Sequence, residues 1–307
     1  MRAAWSTWRA LWFRPVSARG VAVLRIGLGL LLLDQLLALW PDLPGLVGPD
    51  AMVSVEAARS QLPRGRWTPF DTLDQLETLH AWTTAAVVAA VLFTVGLGAR
   101  MAGLFSVIFQ AWLYQRDPFF MNGGDRVLRL GVLYLCTVPC GATWSVEAWF
   151  RSRRRPQNGS STPLVPATAT VLIRLQLMAI YTWSGLQKAG TAVWQQGDAL
   201  YYALSSGNYA RAPHLMDGLL ATESFQVLLR LSSWTVLGWE CSFAVLVLWP
   251  RTRRLALVAG LVFHAGIFLT MSVGVFSTAT PFLLLAWLHP AWVERFQELR
   301  KPTPDAS

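Results

Sequence analysis

The chain has 307 residues, of which 54% are hydrophobic and only 14% charged, against roughly 25% charged in a soluble domain. That balance excludes an ordinary soluble enzyme and points to the bilayer as the place for so much apolar surface. The net charge of +9 invites a nucleic-acid reading, but the basic residues fall in short clusters between apolar runs, as a cytoplasmic membrane face requires, so no nucleic-acid partner is expected.

From the N-terminus, Arg2, Arg9, Arg14 and Arg19 precede an apolar run, as in a signal peptide. The run contains Arg25 and Asp34, and no small-residue cleavage site follows. It therefore reads as an uncleaved first span. Apolar runs of spanning length then predict an all-α polytopic membrane helical bundle of about eight transmembrane helices, in one domain over 1–307. The spans fall near 19–40, 80–98, 101–115, 127–146, 167–188, 225–249, 255–273 and 276–289. With both termini cytoplasmic, 15 basic residues lie inside and six outside, which is the orientation the positive-inside rule selects. The expected location is the cell (inner) membrane, with lipid bilayer on every side.

Between these spans, two long outer segments, 41–79 and 189–224, carry most of the acidic residues. Loops of that length are functional or partly helical, and the stretch Trp194 to Leu204 is amphipathic enough to lie on the outer interface. The inner segment Arg151 to Pro166 is basic and then rich in Ser, Pro and Gly, so it reads as a flexible linker. Cys136, Cys140 and Cys241 all lie in apolar segments. They form neither a disulfide framework nor a zinc spacing, and no metal is expected.

Ionisable groups inside a membrane are costly and serve pairing or function. Arg25 and Arg230 lie near span ends and can snorkel, while Asp34 can pair with an arginine on a neighbouring helix. Lys188 is different, because only it and Lys301 are lysines among 26 basic residues. It closes the fifth span at the outer side, in Tyr181-Thr-Trp-Ser-Gly-Leu-Gln-Lys188. Arg174, Met178, Tyr181, Gly185 and Lys188 follow helical periodicity and share one face. A desolvated lysine loses proton affinity and becomes a usable general base; a lysine snorkelling to the headgroups is the competing account.

The turn before the fourth span contains Asn122-Gly-Gly-Asp125. Asp125 can cap the helix that follows, and Asp125 and Arg129, four residues apart, can pair on one face. Glu240 and His264 fall mid-span, where they form a buried pair or serve the chemistry. Asn122, Asp125, Arg129, Arg174, Tyr181, Trp194, Glu240 and His264 are thus the candidate binding residues around Lys188.

Several of these segments resemble the bacterial HTTM proteins (horizontally transferred transmembrane domain), relatives of the vitamin K-dependent gamma-carboxylase. They are Leu24-Arg25-Ile26-Gly27, Asn122-Gly-Gly-Asp125, Arg174-Leu-Gln176 running to Gly185-Leu-Gln-Lys188, Trp194-Gln-Gln-Gly197, Glu240 and Phe263-His264. In the carboxylase a lysine after a similar helix deprotonates vitamin K hydroquinone. The resemblance places Lys188 in that role. It implies a reduced, vitamin K-like quinone, oxygen and carbon dioxide as reactants at an extracytoplasmic site, with oxygenation or epoxidation as the reaction. Two departures count against glutamate carboxylation. Nothing here matches the carboxylase's large extramembrane part, and Asn122-Gly-Gly-Asp125 stands where the carboxylase has Asn-Asn-His. Other relatives help to mature or export a small secreted toxin, which implies an alternative role in maturation, export or immunity of a secreted peptide, with that peptide or a soluble protein as partner.

Overall fold

The computed structural model describes residues 2–61, 66–73, 75–154 and 162–288. The middle of the basic linker and the chain from His289 onward lie outside the described residues. The described chain is mostly helical, with fifteen α-helices and one two-stranded ribbon. It falls into two compact units, residues 1–173 with 285–307, and 174–284.

The first unit contains, in order, α1 (Arg2–Phe13), β1 (Pro15–Ser17), α2 (Ala18–Leu39), α3 (Leu43–Val47), α4 (Val55–Ser60), α5 (Leu76–Val95), α6 (Ala99–Arg116), α7 (Gly123–Leu135), α8 (Val146–Arg154) and β2 (Leu164–Pro166). The boundary with the second unit falls inside α9 (Thr168–Ala189), after Ile173. The second unit continues through α10 (Ala192–Gln195), α11 (Ala199–Ser205), α12 (Pro213–Leu220), α13 (Glu223–Leu248), α14 (Arg253–Thr270) and α15 (Phe276–Leu284).

In the first unit α2 packs on α5 and α7, and α6 packs on both of those helices. Leu24, Leu28, Leu32 and Leu36 of α2 are buried at a three-to-four residue spacing, which is the inward stripe of a helix. β1 pairs antiparallel with β2, Val16 opposite Val165, and the Thr168 hydroxyl donates to the Trp12 carbonyl at 3.0 Å. The start of α2 and the start of α9 are thereby held together. In the second unit α14 packs on α13 and α15, and α11 packs on α12 and α13. A small core of Leu204, Leu220 and Leu229 closes it at one end.

Four helices are long and apolar enough to cross a membrane: α2, α5, α13 and α14, of 18 to 26 residues each. At about 1.5 Å per residue such helices match a hydrocarbon layer of about 30 Å. Their outward faces are apolar too. Val245, Leu255, Val262 and Leu269 are all more than 60% exposed, a surface that water would penalise and lipid accepts. The protein is a multi-pass membrane protein.

The other expected spans take different forms. α6 covers 99–116 and α9 covers 168–189, close to the expected bounds, but each carries a buried glutamine, Gln110 and Gln176. α7 stops at Leu135, where the apolar run suggested a helix to 146. Pro139 lacks an N–H for a helix interior, and the carbonyls of Cys140, Thr143 and Trp144 in the turn beyond it accept from the Arg25 guanidinium. Arg25 therefore does not snorkel: it is fully buried and fastens this turn to α2. α15 holds nine residues, with Pro281 inside, and passes into a 3-10 turn at Leu285–Trp287.

Candidate functional site

The second unit assembles Lys188, Tyr181, Trp194, Glu240 and His264. α9 presents Tyr181 and Gly185 as buried residues, while Leu175, Trp183 and Leu186 on its other side are exposed. The polar face read from the sequence therefore does look inward. Lys188 Nζ lies 2.5 Å from Glu240 Oε1. The lysine side chain is 22% exposed and the glutamate 3%, so the pair sits at the edge of the interior with its acid on the buried side. The Trp194 ring lies 4.6 Å from the ammonium, close enough for a cation–π contact.

This closeness has a backbone cause. A Cβ at Gly185 would stand 2.7 Å from the Cys241 amide nitrogen. Only glycine lets α9 and α13 approach so far, the small-residue contact common between membrane helices. It brings the residue before Cys241, Glu240, to Lys188, one turn after Gly185.

Deeper in the unit the Tyr181 hydroxyl and His264 Nε2 are 2.7 Å apart. Tyr181 also meets Trp239 edge-on and Phe243 at a tilt, with ring centroids 4.6 and 4.5 Å away. His264 is wholly buried and meets Phe263 and Phe276. The expected Glu240–His264 pair is not formed: each residue takes a different partner on α9. Two buried atoms, Glu240 Oε2 and His264 Nδ1, have no hydrogen-bond partner. Such orphans are uncommon in a finished interior, and they give the unit one acceptor and one tautomer-dependent group with which to meet a polar ligand. Arg174 lies two turns before Tyr181 and is partly buried. Arg230 pairs with Asp198 at 3.2 Å and is about half exposed.

Asn122, Asp125 and Arg129 belong to the first unit. Asn122 and Asp125 form a reciprocal capping box at the start of α7: the N-cap is Asn122, and Asp125, the residue expected to cap, closes the box from the third helical position. Asp125 and Arg129 do not pair. Asp125 Oδ2 accepts from the Asn122 amide and Oδ1 from Gln35 Nε2, so both carboxylate oxygens are occupied. Arg129 donates instead to the Gln110 carbonyl at 3.4 Å. Gln110 Nε2 in turn donates to Gln35 Oε1 at 2.6 Å. This glutamine–glutamine–aspartate chain was missed in the sequence, although Gln35 and Gln110 are conspicuous as amides in apolar helices. Burial pushes the Asp125 carboxyl above its ordinary value, opposed by the Asn122 amide, Arg129 and Gln35. Asp34 is exposed on α2 and makes no ion pair among the described residues.

The HTTM domain family matches residues 13–292. The chain belongs to the HTTM family. Among curated proteins, this HTTM chain is 24% identical over 203 residues to the sporulation-delaying protein SdpB of Bacillus subtilis (strain 168). That alignment covers 65% of the chain and 61% of the relative. No solved structure matches it. The HTTM match spans both compact units, and within it lie all the candidate residues named above.

Proposed function

We propose that this HTTM protein is a membrane factor for the maturation, export or immunity of a small secreted peptide, with the Lys188–Glu240 pair as its recognition site. One observation carries the reading: a buried carboxylate, Glu240, is bound to Lys188 through one oxygen and leaves the other unpartnered. The lysine nitrogen and a spare carboxylate oxygen on its partner offer donors and an acceptor to a peptide unit or chain terminus. The similarity to SdpB, a protein named for an effect on sporulation, favours this class over turnover of a lipid-phase metabolite. In this reading the chain crosses the membrane eight times, both termini are cytoplasmic and the site faces outward. The β1–β2 pairing supports that arrangement, since it holds the starts of the first and fifth crossings on one side.

A second reading is favoured by the position of Lys188 in the family motif. There the chain is a membrane enzyme that oxygenates or epoxidises a reduced quinone, with Lys188 as base. The Lys188 nitrogen is already engaged by Glu240 at 2.5 Å, which places the enzymatic reading second.

Gene deletion in the native host, followed by mass spectrometry of the culture medium, tests the choice. The expected result is loss or altered processing of a secreted peptide, restored by the wild-type gene and not by Lys188→Ala. An unchanged peptide profile, with loss of a quinone epoxide from membrane extracts, would overturn it in favour of the enzyme.

A further inference from the structure

The first unit contains a second polar site that neither the family match nor the Lys188 region accounts for. A cavity of about 380 Å³ is lined by Arg66, Ala111, Tyr114, Gln115, Arg126 and Arg129. Three of its six lining residues are arginines, brought from two places in the chain. Arg66 comes from the segment before α5, whereas Arg126 and Arg129 stand one turn apart at the start of α7. Tyr114, near the end of α6, organises the last two. Its ring centroid lies 5.7 Å from the Arg126 guanidinium and 5.5 Å from that of Arg129, and its hydroxyl accepts from Arg126 Nη2 at 3.2 Å.

Like charges do not gather round a hollow without something to offset them. Among the described residues, no carboxylate lies within ion-pairing distance of any of the three. Asp125 is near enough to temper Arg129, but its oxygens are taken by Asn122 and Gln35. Arg59 of the same unit does meet a carboxylate, that of Asp71, whereas Arg126 and Arg129 have only neutral partners, the Tyr114 hydroxyl and the Gln110 carbonyl. The cavity is thus a place where positive charge is concentrated and, among the described residues, not ion-paired. Topology does not explain it either. In the orientation proposed above Arg66 and Arg126 lie outside, where the positive-inside rule makes arginine scarce.

We propose that Arg66, Arg126 and Arg129 form a binding site for a phosphate group. Guanidinium forks match the oxygens of phosphate, and several forks around one tetrahedral anion satisfy more of its acceptors than a carboxylate could use. The volume exceeds that of a bare phosphate and lies at the small end of ligand pockets, leaving room for the polar group that a phosphate ester carries. The phosphate belongs either to the headgroup of an anionic phospholipid or to a soluble phosphate compound.

Both sources can be told apart on the purified full-length protein. Native mass spectrometry from micelles holding equal phosphatidylglycerol and phosphatidylcholine reads the lipid arm. Thermal unfolding with added inorganic phosphate or glycerol 3-phosphate reads the soluble arm. The wild type is expected to retain phosphatidylglycerol over phosphatidylcholine, and Arg66→Gln and Arg126→Gln each to lower that retention about tenfold, the loss of one charge-assisted hydrogen-bonding arm. Stabilisation by soluble phosphate that these variants lose, without lipid preference, supports the proposal with a soluble ligand. Arg66 is exposed, so its replacement keeps the test readable should the Arg126 variant fold poorly. Lys188→Ala is expected to retain the anion fully, which separates this site from the proposed recognition site. Equal retention of both lipids with no response to phosphate overturns the proposal, as does a preference that survives both arginine substitutions.

Discussion

Gly185 sets the distance between Lys188 and Glu240. Because it has no side chain, the Cys241 backbone can lie against α9, and the adjacent glutamate meets the lysine one turn further on. Glycine at 185 is thus part of the site without touching a ligand. Gly185→Ala should force the helices apart and cost about 1–3 kcal/mol, as overpacking does. Thermal unfolding in detergent should show a lowered midpoint, and the secreted-peptide phenotype should fall with it. Gly185→Leu should be worse on both counts. If Gly185→Ala behaves as wild type in both measurements, the close approach is not what aligns the pair.

The ion pair itself gives a second expectation. Removing one partner of a buried pair strands the other charge and costs about 3–5 kcal/mol, whereas replacing both with apolar residues is often neutral. Lys188→Met alone should therefore destabilise more than Lys188→Met combined with Glu240→Leu. Neither should support function. A double variant less stable than Lys188→Met would show that the two residues are energetically independent.

Lys188→Arg separates the two functional readings. Arginine keeps the charge and can still pair with Glu240, but it does not deprotonate in proteins. A recognition site should retain partial function with arginine and lose it with Lys188→Ala, at equal expression. An essential base should be dead with both. Peptide processing in complemented cells and turnover of a reduced quinone in membranes are the two assays.

Topology is testable with single cysteines at Ser60 and Ser160. A membrane-impermeant thiol reagent applied to intact cells should label position 60 and not 160. Ser60 is exposed at the end of α4, so failure to label it could not be laid to burial. The reverse pattern would invert the orientation and move the lysine site to the cytoplasmic side.

Arg25 supplies a stability prediction. Its fork reaches the carbonyls of Cys140 and Trp144 at 2.9 and 2.5 Å. A lysine has the charge but not the fork, so Arg25→Lys should lower the unfolding midpoint nearly as much as Arg25→Met. Each lost charge-assisted bond is worth about 1.5–3 kcal/mol. Full stability in Arg25→Lys would mean that charge alone holds the turn.

What could be read in the sequence was whatever leaves a local trace. The leucine stripe of α2, the inward face of α9 and the Asn122–Asp125 box are all set by residues within a few turns of each other, and each is present. Partnerships across the chain leave no such trace. Arg25 meets carbonyls more than a hundred residues away, and His264 finds Tyr181 rather than Glu240, its nearest charged neighbour in the mid-span pattern. Asp125 and Arg129 stand at pairing distance along a helix, yet a capping box and a glutamine reach the carboxylate first. The end of α7 at Leu135 was hidden for a related reason: an apolar run does not reveal that its second half is a turn whose carbonyls bond to an arginine elsewhere.

The ribbon between β1 and β2 also bears on how the chain is made. Its two strands are separated by nearly half the polypeptide, so Pro15–Ser17, synthesised almost first, waits for its mate through the emergence of the seven helices α2 to α8. During that interval the strand has an open edge, a site where a wrong neighbour can pair. Residues 164–166 end that exposure just as α9, which carries Tyr181 and Lys188, begins to form. A chain cut before residue 164 would keep the edge and lose the helix together, so the ribbon ties completion of the amino-terminal strand pair to the arrival of the lysine-bearing helix.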